Sequence, residues 1–289
     1  MILESIFVVF VSLICIISFS RSRTKAREQS DKVQLGLSLL TYIQKVMALS
    51  QQHRGMSNAV LQGNDKLKRR LISLQTDLDQ LMAAGSALNL TEFSQWESFS
   101  EHWPRLKKRA VNCELDPKNL IRQHNMMIDG QLSLLDDIIS YYGLRVLKLD
   151  NTTHASELCL DILRVIETIA QARGLGSGIC AKGECVGVDQ ISLNFLAASI
   201  SASTSELINE LNSIDNATLS DQFNASSALI KSGGDHLTYT MNKHVLVDGE
   251  TTISASDYFN LASKPIDDLL DIFNAVVSYA STQYTKKAK

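Results

Sequence analysis

Proline is nearly absent from these 289 residues, occurring only as Pro104, Pro117 and Pro265. So few breakers, with long polar–apolar periodic stretches, favour an all-α chain. Aromatic residues make up only 6%, so the core must come largely from aliphatic side chains. Neither sign of charge dominates: 28 basic residues stand against 31 acidic ones, a formal net charge of -3. Without a basic excess, no nucleic-acid partner is expected. None of the five cysteines is in a pair at zinc-ligand spacing, and Cys180 and Cys185 lie too far apart for a two-residue redox motif. The six histidines form no His-Glu-x-x-His pattern, and there is no phosphate-cradling glycine loop and no nucleophile motif. The expectation is a protein that is not an enzyme, with no catalytic residue, no metal site and no cofactor.

One long apolar run is present. Ile2 to Phe19 is apolar apart from Glu4 and a few serines, and Arg21, Arg23, Lys25 and Arg27 follow it. About 18 residues is the lower end of a membrane-spanning helix. A cleaved leader would carry its basic residues before the apolar run and small residues at its end. The sequence therefore predicts a transmembrane anchor with its basic flank over residues 1–27. By the positive-inside rule the body is expected in the cytoplasm, giving a single-pass protein of the inner (cytoplasmic) membrane.

Behind this segment the pattern predicts four helices, then a turn cluster at Asp150-Asn151-Thr152-Thr153, then four more. Asp116-Pro117 pairs a good N-cap with proline at the first helical position. The glycine-rich stretch Gly174 to Gly187 is expected to interrupt or end the fifth helix, and the seventh is expected to weaken at Gly233-Gly234. Ser254 or Ser256 is expected to cap the eighth.

The two halves resemble each other. Ile43, Val46, Gln52, Arg54 and Gly55 fall on Ile162, Val165, Gln171, Arg173 and Gly174, an offset of 173 − 54 = 119 residues. Ile128-Asp129 and Ser140-Tyr141 fall likewise on Ile266-Asp267 and Ser278-Tyr279. A repeat of about 120–140 residues with four helices each implies two antiparallel four-helix bundles. The first is expected over residues 28–149 and the second over 150–289.

On a helical wheel Arg54 falls at the flank of the apolar face made by Leu39, Ile43, Val46 and Leu61, and Arg173 occupies the same place in its own helix. An arginine there must snorkel outward or find a negative partner, because an unpaired buried charge costs several kcal/mol. Neither has a carboxylate one turn away on its own helix. A guanidinium fork beside small or polar residues matches a planar oxyanion. Arg54 and Arg173, with Ser50, Ser57 and Ser177, are therefore ligand-binding candidates. An inter-helix salt bridge to Asp136, Asp137, Asp267 or Asp271 is the competing reading. His53 reads as a core or surface histidine.

The segments Gln51-Gln-His-Arg-Gly-Met-Ser57 and Ala172-Arg-Gly-Leu-Gly-Ser177 resemble the nitrate- and nitrite-sensing domain family. So does Asp257-Tyr-Phe-Asn-Leu-Ala-Ser-Lys-Pro-Ile-Asp-Asp-Leu-Leu270. The similarity spans roughly residues 35 to 285. It implies a ligand-responsive module binding nitrate or nitrite through arginines, here Arg54 and Arg173. Such modules usually precede an output domain. None follows in this sequence, so the output is expected to belong to a separate protein partner. A homodimer is among the assemblies this reading allows. The alternative is a ligand-free helical scaffold or interaction protein.

Overall fold

The computed structural model describes the backbone of residues 2–86, 88–247 and 249–287, and the side chains of 18–85, 88–247 and 249–286. Eight α-helices account for most of the described chain: α1 Ile2–Leu61, α2 Lys68–Ser86, α3 Ser94–Val111, α4 Pro117–Tyr141, α5 Ala155–Lys182, α6 Val188–Ser213, α7 Ser220–Thr240 and α8 Ala255–Lys287. Among the described residues there is no strand, only the isolated bridges Lys148–His154 and Glu184–Glu250.

The helix starts follow local chemistry. The Asp116 carboxylate accepts the Asn119 amide at 2.9 Å, and Pro117 occupies the first turn of α4. Ser254 Oγ accepts the Asp257 amide at 3.1 Å and donates to the Asp257 carboxylate at 2.7 Å, closing a reciprocal cap on α8.

The expected membrane anchor needs correction. Among the described residues no helix is long and apolar enough to cross a membrane. The side chains of 1–17, which hold most of the expected span, lie outside the described residues. From Ser18 onward α1 carries Arg21, Arg23, Lys25, Arg27, Glu28, Asp31 and Lys32, too many charges for a hydrocarbon environment. The transmembrane assignment of 1–27, and the single-pass inner-membrane placement with a cytoplasmic body that rested on it, therefore do not stand.

Packing follows the order of the chain within each set of four. Helix α1 lies on α2 and α4, and α3 on α4; α5 lies on α6 and α8, and α7 on both α6 and α8. The sets meet where α1 packs along α5, with α8 also touching α1. One contiguous apolar core runs through both sets, from Ile43, Trp96 and Ile138 to Ile166, Phe223 and Phe273.

The glycine-rich stretch does not interrupt α5, which runs through Gly174, Gly176 and Gly178 and ends only at Gly183, whose φ is +90°. The reason is tertiary. A Cβ on Gly55 would stand 3.5 Å from Gly174 Cα, so the repeated Arg-Gly dipeptide marks the crossing of α1 and α5. A Cβ on Gly176 would strike Tyr258, and one on Gly178 would strike Asn58. Each glycine's cost to helix propensity is accepted for a close approach that a side chain would block. Helix α7 likewise continues through Gly233 and Gly234, which face Pro265 and Thr204.

Candidate functional site

The crossing of α1 and α5 brings Arg54 and Arg173 into one buried layer, at 0% and 3% exposure. Gly174 makes room for Arg54: a Cβ there would lie 3.3 Å from Arg54 Nε.

The two arginines are satisfied differently. Arg54 forks onto Glu167 of α5, with Nη1–Oε1 at 2.6 Å and Nη2–Oε2 at 3.1 Å. Its Nη1 also donates to Asn125 Oδ1 of α4 at 2.7 Å. Gln51 Nε2 and Gln171 Nε2 each donate to the same carboxylate at 2.9 Å, so four donor contacts converge on Glu167. Arg173 has no carboxylate in ion-pair contact among the described residues. Its Nη1 donates to Ser263 Oγ of α8 at 3.0 Å, and its guanidinium lies 4.7 Å from the Phe259 ring centroid. Burial, and secondarily the nearby Arg54 charge, push its pKa down to about 10. The Nε of each arginine is buried without a hydrogen-bond partner.

The buried layer therefore holds two guanidiniums and one carboxylate. Two exposed aspartates flank it at repeat-related positions, Asp129 on α4 and Asp267 on α8. Both have raised pKa values, chiefly from desolvation. Neither supplies Arg173 with an ion pair.

The three candidate serines are all buried, but their hydroxyl protons point to their own helices. Ser50 donates to Val46 O, Ser57 to His53 O and Ser177 to Arg173 O. Ser50 also accepts from Gln131 Nε2 at 3.0 Å. None of the four aspartates considered as bridge partners holds either arginine; Asp136, for instance, pairs with Arg145. The residues missing from the sequence reading are Glu167, Asn125, Gln171 and Ser263. Glu167 had left a signal, an acid inside the apolar run Val165-Ile166-Glu167-Thr168-Ile169.

Beside this layer, between the two sets of helices, lies a cleft of about 530 Å³. Asn58, Asn125 and Gln171 line its polar side, and Ile121, Leu175 and Phe195 its apolar side.

His53 is a core residue, tied into a directed chain of hydrogen bonds. His124 Nδ1 lies 2.8 Å from Leu120 O and must donate to it, which leaves Nε2 to accept. His53 Nδ1 therefore donates to His124 Nε2 at 2.7 Å, and His53 Nε2 accepts from Gln75 Nε2 at 2.9 Å. Both rings are neutral. Desolvation drives the pKa of His53 well below its usual value and that of His124 to about 3. A histidine whose folded pKa is lowered binds more protons unfolded than folded. It therefore contributes stability fully above the unfolded pKa, and that contribution fades as pH falls below about 6.5. At pH 5 the pair should have cost about 2 kcal/mol per histidine relative to neutral pH. Urea denaturation at pH 7 and pH 5 checks this, and a midpoint unchanged between the two would contradict it.

No protein-family model matches the sequence, and no curated protein matches it. Among solved structures, the fold is similar to that of the NasR transcription antiterminator. The TM-score is 0.68 at 14% sequence identity, and the alignment covers 94% of this chain and 74% of that one. At that identity the likeness establishes the shared helical fold.

Proposed function

We propose that this chain is a sensor of a small oxyanion of the nitrate or nitrite type, binding it at the α1–α5 crossing and passing its state to a separate partner protein. The role is one of binding rather than catalysis. The observation that carries the reading is the charge imbalance of the buried groups, where Arg54 and Arg173 share Glu167 as the one buried carboxylate in contact, with Asp129 and Asp267 only at the exposed flank. One singly charged anion would balance the buried groups, and its oxygens would accept from the guanidinium N–H groups of the layer. The resemblance of the two Arg-Gly segments to nitrate- and nitrite-sensing domains, and the fold shared with the antiterminator, support the same reading.

Thermal melting of the full chain tests it. Nitrate at about 100 times its dissociation constant should add roughly 2.7 kcal/mol of stability by mass action. Arg54→Ala should remove most of that gain, and Arg173→Ala part of it. A shift equal to that given by the same concentration of chloride would defeat the proposal.

The Arg54–Glu167 pair favours a second reading, a ligand-free scaffold in which the bridge simply fastens α1 to α5. On that reading no anion has a specific effect, so the same melting experiment separates the two.

A further inference from the structure

We infer that the Glu167 carboxylate is a tethered stand-in for the oxyanion, held on the Arg54 fork until a free anion displaces it. The inference rests on the oxyanion reading and adds how that site is regulated.

The geometry around Glu167 is that of a ligand in a site. Its two oxygens take both terminal nitrogens of Arg54, at 2.6 and 3.1 Å, and the amides of Gln51 and Gln171, at 2.9 Å each. A nitrate ion presents the same planar edge of two oxygens with the same single charge, so a fork and two amides that suit one suit the other. Glu167 has a further property a free anion lacks: it belongs to α5, whereas Arg54 and Gln51 belong to α1. A tethered group competes at the high effective concentration its linkage imposes. A free anion that wins the fork therefore does two things at once, filling the site and cutting the ionic tie across the α1–α5 crossing. That loss of a tie between the two sets of helices is a structural change an output partner can read.

Access is provided for. Two of the amides that hold the pair, Asn125 on Arg54 and Gln171 on Glu167, also line the cleft of about 530 Å³ between the two sets. An anion entering that cleft meets these amides before it meets the fork. Within α5 the displaced carboxylate would keep only the hydrogen bond from Gln171.

The test compares nitrate affinity, measured against a chloride background, for the full-length wild type, Glu167→Gln and Glu167→Asp. Glutamine keeps the shape but removes the competing charge. Aspartate keeps the charge on a side chain one methylene shorter, which cannot take both guanidinium nitrogens. Nitrate should bind Glu167→Gln at least roughly tenfold more tightly than wild type, as expected when one charge-assisted contact no longer has to be displaced. Glu167→Asp should fall between the two. Circular dichroism confirms that each variant is folded, and if Glu167→Gln is not, the aspartate variant carries the comparison. Affinity equal to or weaker than wild type in the folded variants overturns the inference while leaving the sensor reading intact. Nitrate-specific binding by the variants alone supports the tether and defeats sensing by the natural chain. Binding by none of the three overturns both.

Discussion

Arg54→Ala should destabilise the protein by about 3–5 kcal/mol in the absence of any ligand. The side chain is fully buried, and its fork supplies two of the four donor contacts that hold Glu167. Truncation leaves a buried carboxylate hydrogen-bonded only to the Gln51 and Gln171 amides, with Arg173 in the same layer making no ion pair to it. The large cost comes from that stranded charge more than from the attraction lost, since a buried pair recovers little beyond its own desolvation. Two controls follow. Replacing both members with apolar residues of similar volume, Arg54→Met with Glu167→Met, should cost far less than the single change. Arg173→Ala should also cost less, because removing it leaves behind only Ser263 Oγ and the Phe259 ring, neither of them charged. Chemical denaturation of the four proteins measures this. Equal losses for Arg54→Ala and Arg173→Ala would mean that the asymmetry between the two arginines is not real.

Gly176→Ala should destabilise by about 2–3 kcal/mol, although alanine is the better helix former by nearly 1 kcal/mol. A Cβ at Gly176 would fall 2.3 Å from Tyr258 Cε1 and 2.5 Å from its hydroxyl. That ring is fully buried, and its O–H donates to Ala172 O at 3.0 Å, so it cannot yield without breaking its own bond. The strain falls on the α5–α8 contact behind Arg173. Gly130→Ala in α4 is the matched control: nothing lies within 4 Å of the added carbon, so that change should stabilise by about 0.5–1 kcal/mol. Opposite signs at two helical glycines, read as shifts in melting temperature, check the packing argument. A neutral or stabilising result at Gly176 would contradict it.

Much of the helix layout was legible because its signals are local. The Asp116-Pro117 cap and the Ser254 cap each stand where a few adjacent residues put them. The α5 glycines were misleading for the opposite reason. Their role is set by Tyr258, Asn58 and Arg54, side chains distant in sequence, while propensity alone reads them as breakers. The apolar segment at the start of the chain reads as an anchor with the following charges as its basic flank, whereas among the described residues no helix is long and apolar enough to cross a membrane.

The candidate site is legible only in part. Duplication of Arg-Gly at matching wheel positions pointed to Arg54 and Arg173, and both are buried at the crossing of α1 and α5. The Arg54–Glu167 pairing leaves no local trace, because the two residues stand 113 positions apart and the acid shows only as a charge inside an apolar run. The three serines lie within four residues of an arginine in the sequence. Helical Ser side chains commonly bond the carbonyl one turn back, as Ser50, Ser57 and Ser177 do, so proximity alone says little about which way their protons point.

The central claim is that the buried layer at the α1–α5 crossing carries one positive charge too many and takes up one small oxyanion. Calorimetric titration of the full chain with potassium nitrate, against potassium chloride at matched ionic strength, tests it most directly. The account predicts saturable nitrate binding at about one ion per chain, by the charge balance of the layer, with the signal lost in Arg54→Ala and weakened in Arg173→Ala. Heats that match those of chloride, or nitrate binding undiminished in both variants, would contradict it.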